Sequence, residues 1–196
     1  MKKTELILGI GILILMSLRL VFEYPYSAML ITLSSLFLSI IYFGFSFGLL
    51  NGIRFRNLLK KESYAGISTL RIIGSVLTGI VLSLLVIYSL FKFQSWPYGN
   101  EGLRISLFGL LIVIVIGIIK LFTAKNSFYS KLLLRLGIIG TFATLLYFTS
   151  YESLLEMKYR NYPEFIEVEK KLMKDPMNKE LQIESRELRM KMDKSE

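Results

Sequence analysis

Residues 28–51 read AMLITLSSLFLSIIYFGFSFGLLN, without a single charged side chain. A bilayer core about 30 Å thick is crossed by about 20 mostly apolar helical residues. Such a stretch has to satisfy its backbone polar groups internally, which a helix does. The segment is long enough and apolar enough to predict a transmembrane helix. Runs of similar character lie on both sides of it, and together they predict spans over about residues 5–22, 28–51, 67–91, 103–122 and 132–151. The expected fold is all-α, an integral membrane bundle of five helices over residues 1–151. An amphipathic helical tail over residues 152–196 is expected to follow it.

Charge gives this bundle an orientation. The 24 Lys and Arg outnumber the 15 Asp and Glu, but the surplus sits in short segments beside the apolar runs. Within 152–196 acids and bases nearly cancel. That distribution fits the positive-inside rule and not a nucleic-acid-binding face. If five helices alternate, Lys2, Lys3, the cluster Arg54 to Lys61, Arg71, Lys120, Lys125, Lys131 and Arg135 fall on one side. Arg19, Lys92 and Arg104 fall towards the other. The expected topology in a cytoplasmic (inner) membrane is therefore an amino terminus inside and a tail outside. The turns Tyr24-Pro25-Tyr26 and Trp96-Pro97-Tyr98 then share the outer interface, where amphipathic rings are favoured. Lys2 and Lys3 ahead of an apolar run imitate a signal peptide. No Ala-x-Ala-like site follows, however, and Arg19, Glu23 and Pro25 come next, so this segment is expected to stay as the first helix.

The two turns belong to a wider echo. Residues 13–26, LILMSLRLVFEYPY, align without gaps on residues 85–98, LVIYSLFKFQSWPY. Ser63-Tyr64 with Leu70-Arg71 corresponds to Ser127-Phe128 with Leu134-Arg135 at equal spacing. Two hairpin repeats in parallel orientation, with a fifth helix opening a third unit, are the expected internal organisation.

Several side-chain patterns are candidates for packing or binding. Gly44, Gly48 and Gly52 form a tandem GxxxG, and Ser75, Gly79 and Ser83 a second small-residue face. Such faces let helices approach closely in lipid, either within this bundle or against another subunit. Ser35, Ser39, Tyr42 and Ser46 make a polar strip that either lines a path or hydrogen-bonds inside the bundle. In the tail, Phe165, Val168 and Leu172 share one stripe, and Leu181, Leu188 and Met192 another. Tyr162-Pro163 and Asp175-Pro176 mark helix starts. The tail is expected to pack on the membrane domain, on itself as a hairpin, or on a partner.

Catalytic groups are scarce. The chain has no histidine and no cysteine, which removes the commonest general base, metal ligands and haem ligands. No Asp or Glu is placed by the sequence at mid-bilayer. Arg19 and Glu23 are spaced to pair, while Arg71, Lys120 and Arg135 are expected to snorkel at the inner edge.

Phe91-Lys92-Phe93-Gln94-Ser95-Trp96-Pro97, between two spans, resembles the FKxxHWPG turn of GldL, the membrane motor subunit of gliding motility and type IX secretion. The match covers about ten residues. Gln94-Ser95 stands where that family has histidine, and Tyr98 separates Pro97 from Gly99. The resemblance implies a motor-type helical hairpin with an acidic residue inside the membrane, and no functional residue is carried over. The sequence as a whole predicts a non-catalytic accessory or scaffold subunit, with the bilayer and other membrane subunits as partners. No nucleic acid, metal or cofactor is expected. The alternative is a small transporter or channel for a neutral or lipid-like substrate.

Overall fold

The computed structural model describes residues 2–22, 26–124 and 126–195. Glu23, Tyr24, Pro25 and Lys125 lie outside the described residues, and with them the first aromatic turn except Tyr26. The described chain is helical, with five helices long and apolar enough to cross a membrane. These are α1 (Lys2–Phe22), α2 (Ser27–Asn51), α3 (Thr69–Gln94), α4 (Gly99–Ala124) and α5 (Ser127–Phe148). Three shorter helices form the tail, α6 (Tyr151–Lys158), α7 (Pro163–Lys174) and α8 (Lys179–Ser195).

Local chemistry sets the boundaries and moves several of them from the expected positions. Ser68 starts α3 by accepting the Arg71 N–H at 3.3 Å. Asn126 accepts the Phe128 N–H at 2.9 Å, so α5 begins about five residues earlier than hydropathy alone places it. At the end of α3, Ser95 turns left-handed at φ 59 and the Trp96 N–H reaches back to the Phe91 carbonyl at 2.8 Å. Gly99 follows where a Cβ would lie 2.7 Å from the Lys92 nitrogen, so α4 starts there and not at Leu103. Tyr26 and Tyr98, the matched tyrosines of the two turns, share a positive φ, of 58 and 60°. Their carbonyls accept from Leu30 and Gly102 at 3.0 and 2.9 Å. The inner-edge match is not mirrored in conformation, because Tyr64 closes a 3-10 turn whereas Phe128 lies in the first turn of α5.

Within the bundle α3 is central and packs on α2, α4 and α5, while α1 lies against α2. The α2–α3 contact is built from small and polar residues. Ser39 and Ser83 hydroxyls are 2.7 Å apart, and Asn51 donates to Ser75 at 3.0 Å. Between them Gly79 lies against Ser46, where a Cβ would stand 2.5 Å from the Tyr42 carbonyl oxygen. The second small-residue face is thus internal to the bundle.

The GxxxG expectation needs correction. Gly44 faces open space, Gly48 receives the side chain of Leu58 from the following loop, and Gly52 ends α2 at φ 78. The three glycines sit in three different surroundings, and among the described residues they make no common helix–helix face within the bundle. Outward, the five long helices present a nearly unbroken apolar surface, since between 11% and 33% of each apolar window is buried. Water tolerates exposed apolar patches of only a few hundred Å², so this surface fits hydrocarbon.

Gly79→Leu is expected to destabilise the detergent-solubilised protein by about 2 kcal/mol or more through overpacking. Gly44→Leu should leave thermal unfolding nearly unchanged. Equal effects from the two variants would contradict the placement of the seam.

Candidate functional site

The polar strip of α2 divides by direction. Ser39 and Ser46 pack against α3, whereas Ser35 and Tyr42 border a cleft of about 350 Å³ enclosed by α1, α2, α3 and α5. Its walls are mainly apolar, including Leu6, Ile10, Leu13, Met16, Val86 and Phe142. At one end stand three polar groups. Glu5 Oε2 is 3.0 Å from Arg135 Nη2, and Tyr42 donates its hydroxyl to Glu5 Oε1 at 2.8 Å.

Tyr42 and Arg135 stand well inside their helices, whereas Glu5 lies in the first turn of α1. Tyr42 is nine residues from the end of α2 and Arg135 eight residues into α5, about 12–13 Å at 1.5 Å per residue. Tyr42 is 1% exposed. A carboxylate in such a place is costly unless it is paired and hydrogen-bonded, and Glu5 is both. Sequence reading missed the pair for identifiable reasons. Glu5 opens the first span in the sequence, and nothing there points to a partner on the fifth. Arg135 was assigned to the inner edge because the Asn126 cap was not recognised as the start of α5.

At the opposite end, where the Trp-Pro turn lies, the tail is fastened to the bundle. Lys158 of α6 is 4% exposed and donates to the Phe93 carbonyl at 2.7 Å and to Ser95 Oγ at 3.0 Å. It thereby caps the carbonyl end of α3 by donating to an oxygen that the helix leaves without an internal partner. Arg160 donates to the Val21 carbonyl of α1. Arg19 contacts Ser27 at 3.2 Å and the Tyr159 hydroxyl at 3.5 Å. Glu23, its expected partner, lies outside the described residues. Lys92 Nζ stands 3.9 Å from the centre of the Tyr151 ring. Of the aromatic turn residues, Tyr26 and Tyr98 are each 77% exposed and Trp96 stacks edge-on with Phe91; Pro97 is exposed beside them.

Beyond α6 the chain folds back as a hairpin, with α7 packed on α8. Phe165 and Val168 are buried, and Leu172, Leu181, Leu188 and Met192 half-buried. Phe165, Leu188 and Met192 border one groove. α7 starts at Pro163 as expected. α8 starts later than Asp175-Pro176 implies, because Asn178 accepts the N–H groups of Glu180 and Leu181. No family model, curated protein or solved structure matches this chain.

Removing one partner of a buried ion pair costs about 3–5 kcal/mol. Arg135→Met is therefore expected to lower stability strongly in detergent, and adding Glu5→Leu to restore much of the loss. A double variant no better than the single one would show that the pair does not carry the effect.

Burial, with Arg19 and Arg189 nearby and Glu169 opposing, lowers the Lys158 amine from 10.5 to about 7. Between those values release of α6 takes up a proton, so docking strengthens as pH rises from about 7 towards 10. Spin labels at Tyr98 and Glu164 should report a narrowing distance distribution over that range, and Lys158→Met should abolish the trend. A wild-type distribution insensitive to pH would refute it.

Proposed function

We propose that this chain is a non-enzymatic, multi-span protein of the cytoplasmic (inner) membrane. It acts as an accessory or scaffold subunit, and its tail presents a helical hairpin to partners outside the cytoplasm. The observation that carries this reading is the fastening of α6 to the bundle. Lys158, Tyr159 and Arg160 engage α3 and α1 from successive positions. A hairpin that merely trailed from the membrane would need no buried lysine, whereas one held at a fixed place presents a defined surface. The lack of histidine and cysteine supports a binding role over catalysis.

The positive φ shared by Tyr26 and Tyr98 supports duplication of a parallel hairpin unit. The positive-inside distribution supports an amino terminus in the cytoplasm and a tail outside it. The Trp-Pro turn resembling that of GldL is compatible with membership of a membrane complex. A second reading, a small transporter or channel for a neutral or lipid-like substrate, is favoured by the lateral cleft beside α1. Duplicated units are common in transporters.

Mass spectrometry of the tagged protein purified in mild detergent should find stoichiometric partners, and these should be lost on deletion of α7 and α8. A solitary monomer or homo-oligomer would argue for the transport reading, which flux into proteoliposomes then tests. A reporter fused after Lys194 should lie outside the cytoplasm and one inserted near Lys61 inside. A cytoplasmic tail would overturn the topology.

A further inference from the structure

A second pocket, of about 340 Å³, lies at the basic end of the bundle, where α2 finishes and α3 and α5 begin. Its charged lining is Arg71, Lys131 and Arg135, and no carboxylate borders it among the described residues. Asn51, Asn126 and Ser127 add polar groups. The Arg71 guanidinium carbon rests 4.0 Å from the centre of the Phe128 ring. Its buried Nε has no hydrogen-bond partner, nor has the buried Oδ1 of Asn51. Among the described residues, neither Arg71 nor Lys131 makes an ion pair, while Arg135 pairs with Glu5 on its cleft-facing side. Arg135 lines both this pocket and the apolar cleft. The two cavities therefore share one lining residue, one bearing uncompensated positive charge and the other hydrocarbon walls.

That is the polarity of an anionic amphiphile. We propose that the two cavities form one binding site for an anionic phospholipid, with its phosphate against Arg71, Lys131 and Arg135. One acyl chain then enters the cleft between α1 and α5. This rests on the membrane reading above and goes beyond the accessory role. Size separates a lipid from a partner helix, because a spanning helix about 10 Å across and 30 Å long displaces about 2,400 Å³. The cleft, at about 350 Å³, takes a chain and not a helix. Charge separates the lipid classes. Basic pockets between transmembrane helices on the cytoplasmic side recognise anionic head groups, and the anionic lipids of that leaflet attract Lys and Arg near its surface.

The test is native mass spectrometry of the full chain in mild detergent, titrated with phosphatidylglycerol or phosphatidylcholine of matched chains. The expected result is about thirtyfold tighter retention of phosphatidylglycerol, set by two unpaired cations. Arg71→Gln with Lys131→Gln should bring the two lipids to parity. Gly9→Leu, which projects into the cleft where a Cβ meets nothing within 4 Å, should weaken both. Equal retention by the wild type overturns the proposal without any variant having to fold. Competition by glycerol phosphate as strong as that of the lipid would make this a soluble-phosphate site and overturn the lipid assignment. So would a copurifying polypeptide that Gly9→Leu displaces. Alkaline carbonate extraction of cell membranes separates the two failures. A chain released into the supernatant sinks the membrane reading itself, whereas a retained chain without lipid selectivity sinks only this site.

Discussion

The close approach of α2 and α3 is the constraint from which the other placements follow. Lipid provides no hydrophobic drive between helices, so contact has to come from packing and hydrogen bonds. Here Gly79 allows α3 to meet the α2 backbone near Tyr42, and Ser39–Ser83 and Asn51–Ser75 join the helices on either side of it. With α2 and α3 fixed, α4 and α5 assemble on α3, and α1 assembles on α2. Helices α1 and α5 thus rest on different members of the central pair. They are linked where Glu5 reaches Arg135, and the cleft opens beside that contact, as far as Met16 of α1 and Phe142 of α5. The cavity is a consequence of the seam, since a side chain at position 79 would push apart the helices that form its floor.

Helix number and composition were legible in the sequence because hydropathy records them directly. The seam was half legible. Ser75, Gly79 and Ser83 do face a neighbour, whereas Gly44, Gly48 and Gly52 show why spacing alone is insufficient. Glycine is also selected for a left-handed helix end, as at Gly52, or to admit a loop side chain, as at Leu58 against Gly48. A spacing motif carries no record of which demand placed it. The Glu5–Arg135 contact was illegible for a different reason. It joins residues far apart in sequence, and its depth depends on where α5 begins. A single cap at Asn126 turns Arg135 from an edge residue into an interior one.

The two ends of the bundle handle positive charge in opposite ways. At the Trp-Pro end the cations are consumed by structure. Lys158 caps α3, Lys92 donates to Asn100 at 3.0 Å and lies over Tyr151, and Arg19 and Arg160 bind the tail and α1. Each is a donor placed where carbonyls, hydroxyls or aromatic faces gather. At the basic end Arg71 and Lys131 have no ion-pair partner among the described residues, so their charge is available to the surroundings.

Glu5 sharpens that contrast. Paired with Arg135 and held by Tyr42, it fastens α1 to the bundle while contributing no net charge to the interior. Had Arg135 stood alone, three cations would crowd the basic end and the cleft would carry an uncompensated charge in a low-dielectric setting, at a cost of several kcal/mol. With Glu5 present, the apolar walls continue from a locally neutral pair, and the net positive field is displaced towards Arg71 and Lys131. The same contact therefore positions α1, keeps the cleft hospitable to hydrocarbon and leaves the attraction for an anion at its mouth. Charge is separated from grease between two neighbouring cavities, and the side chain at the junction lines both.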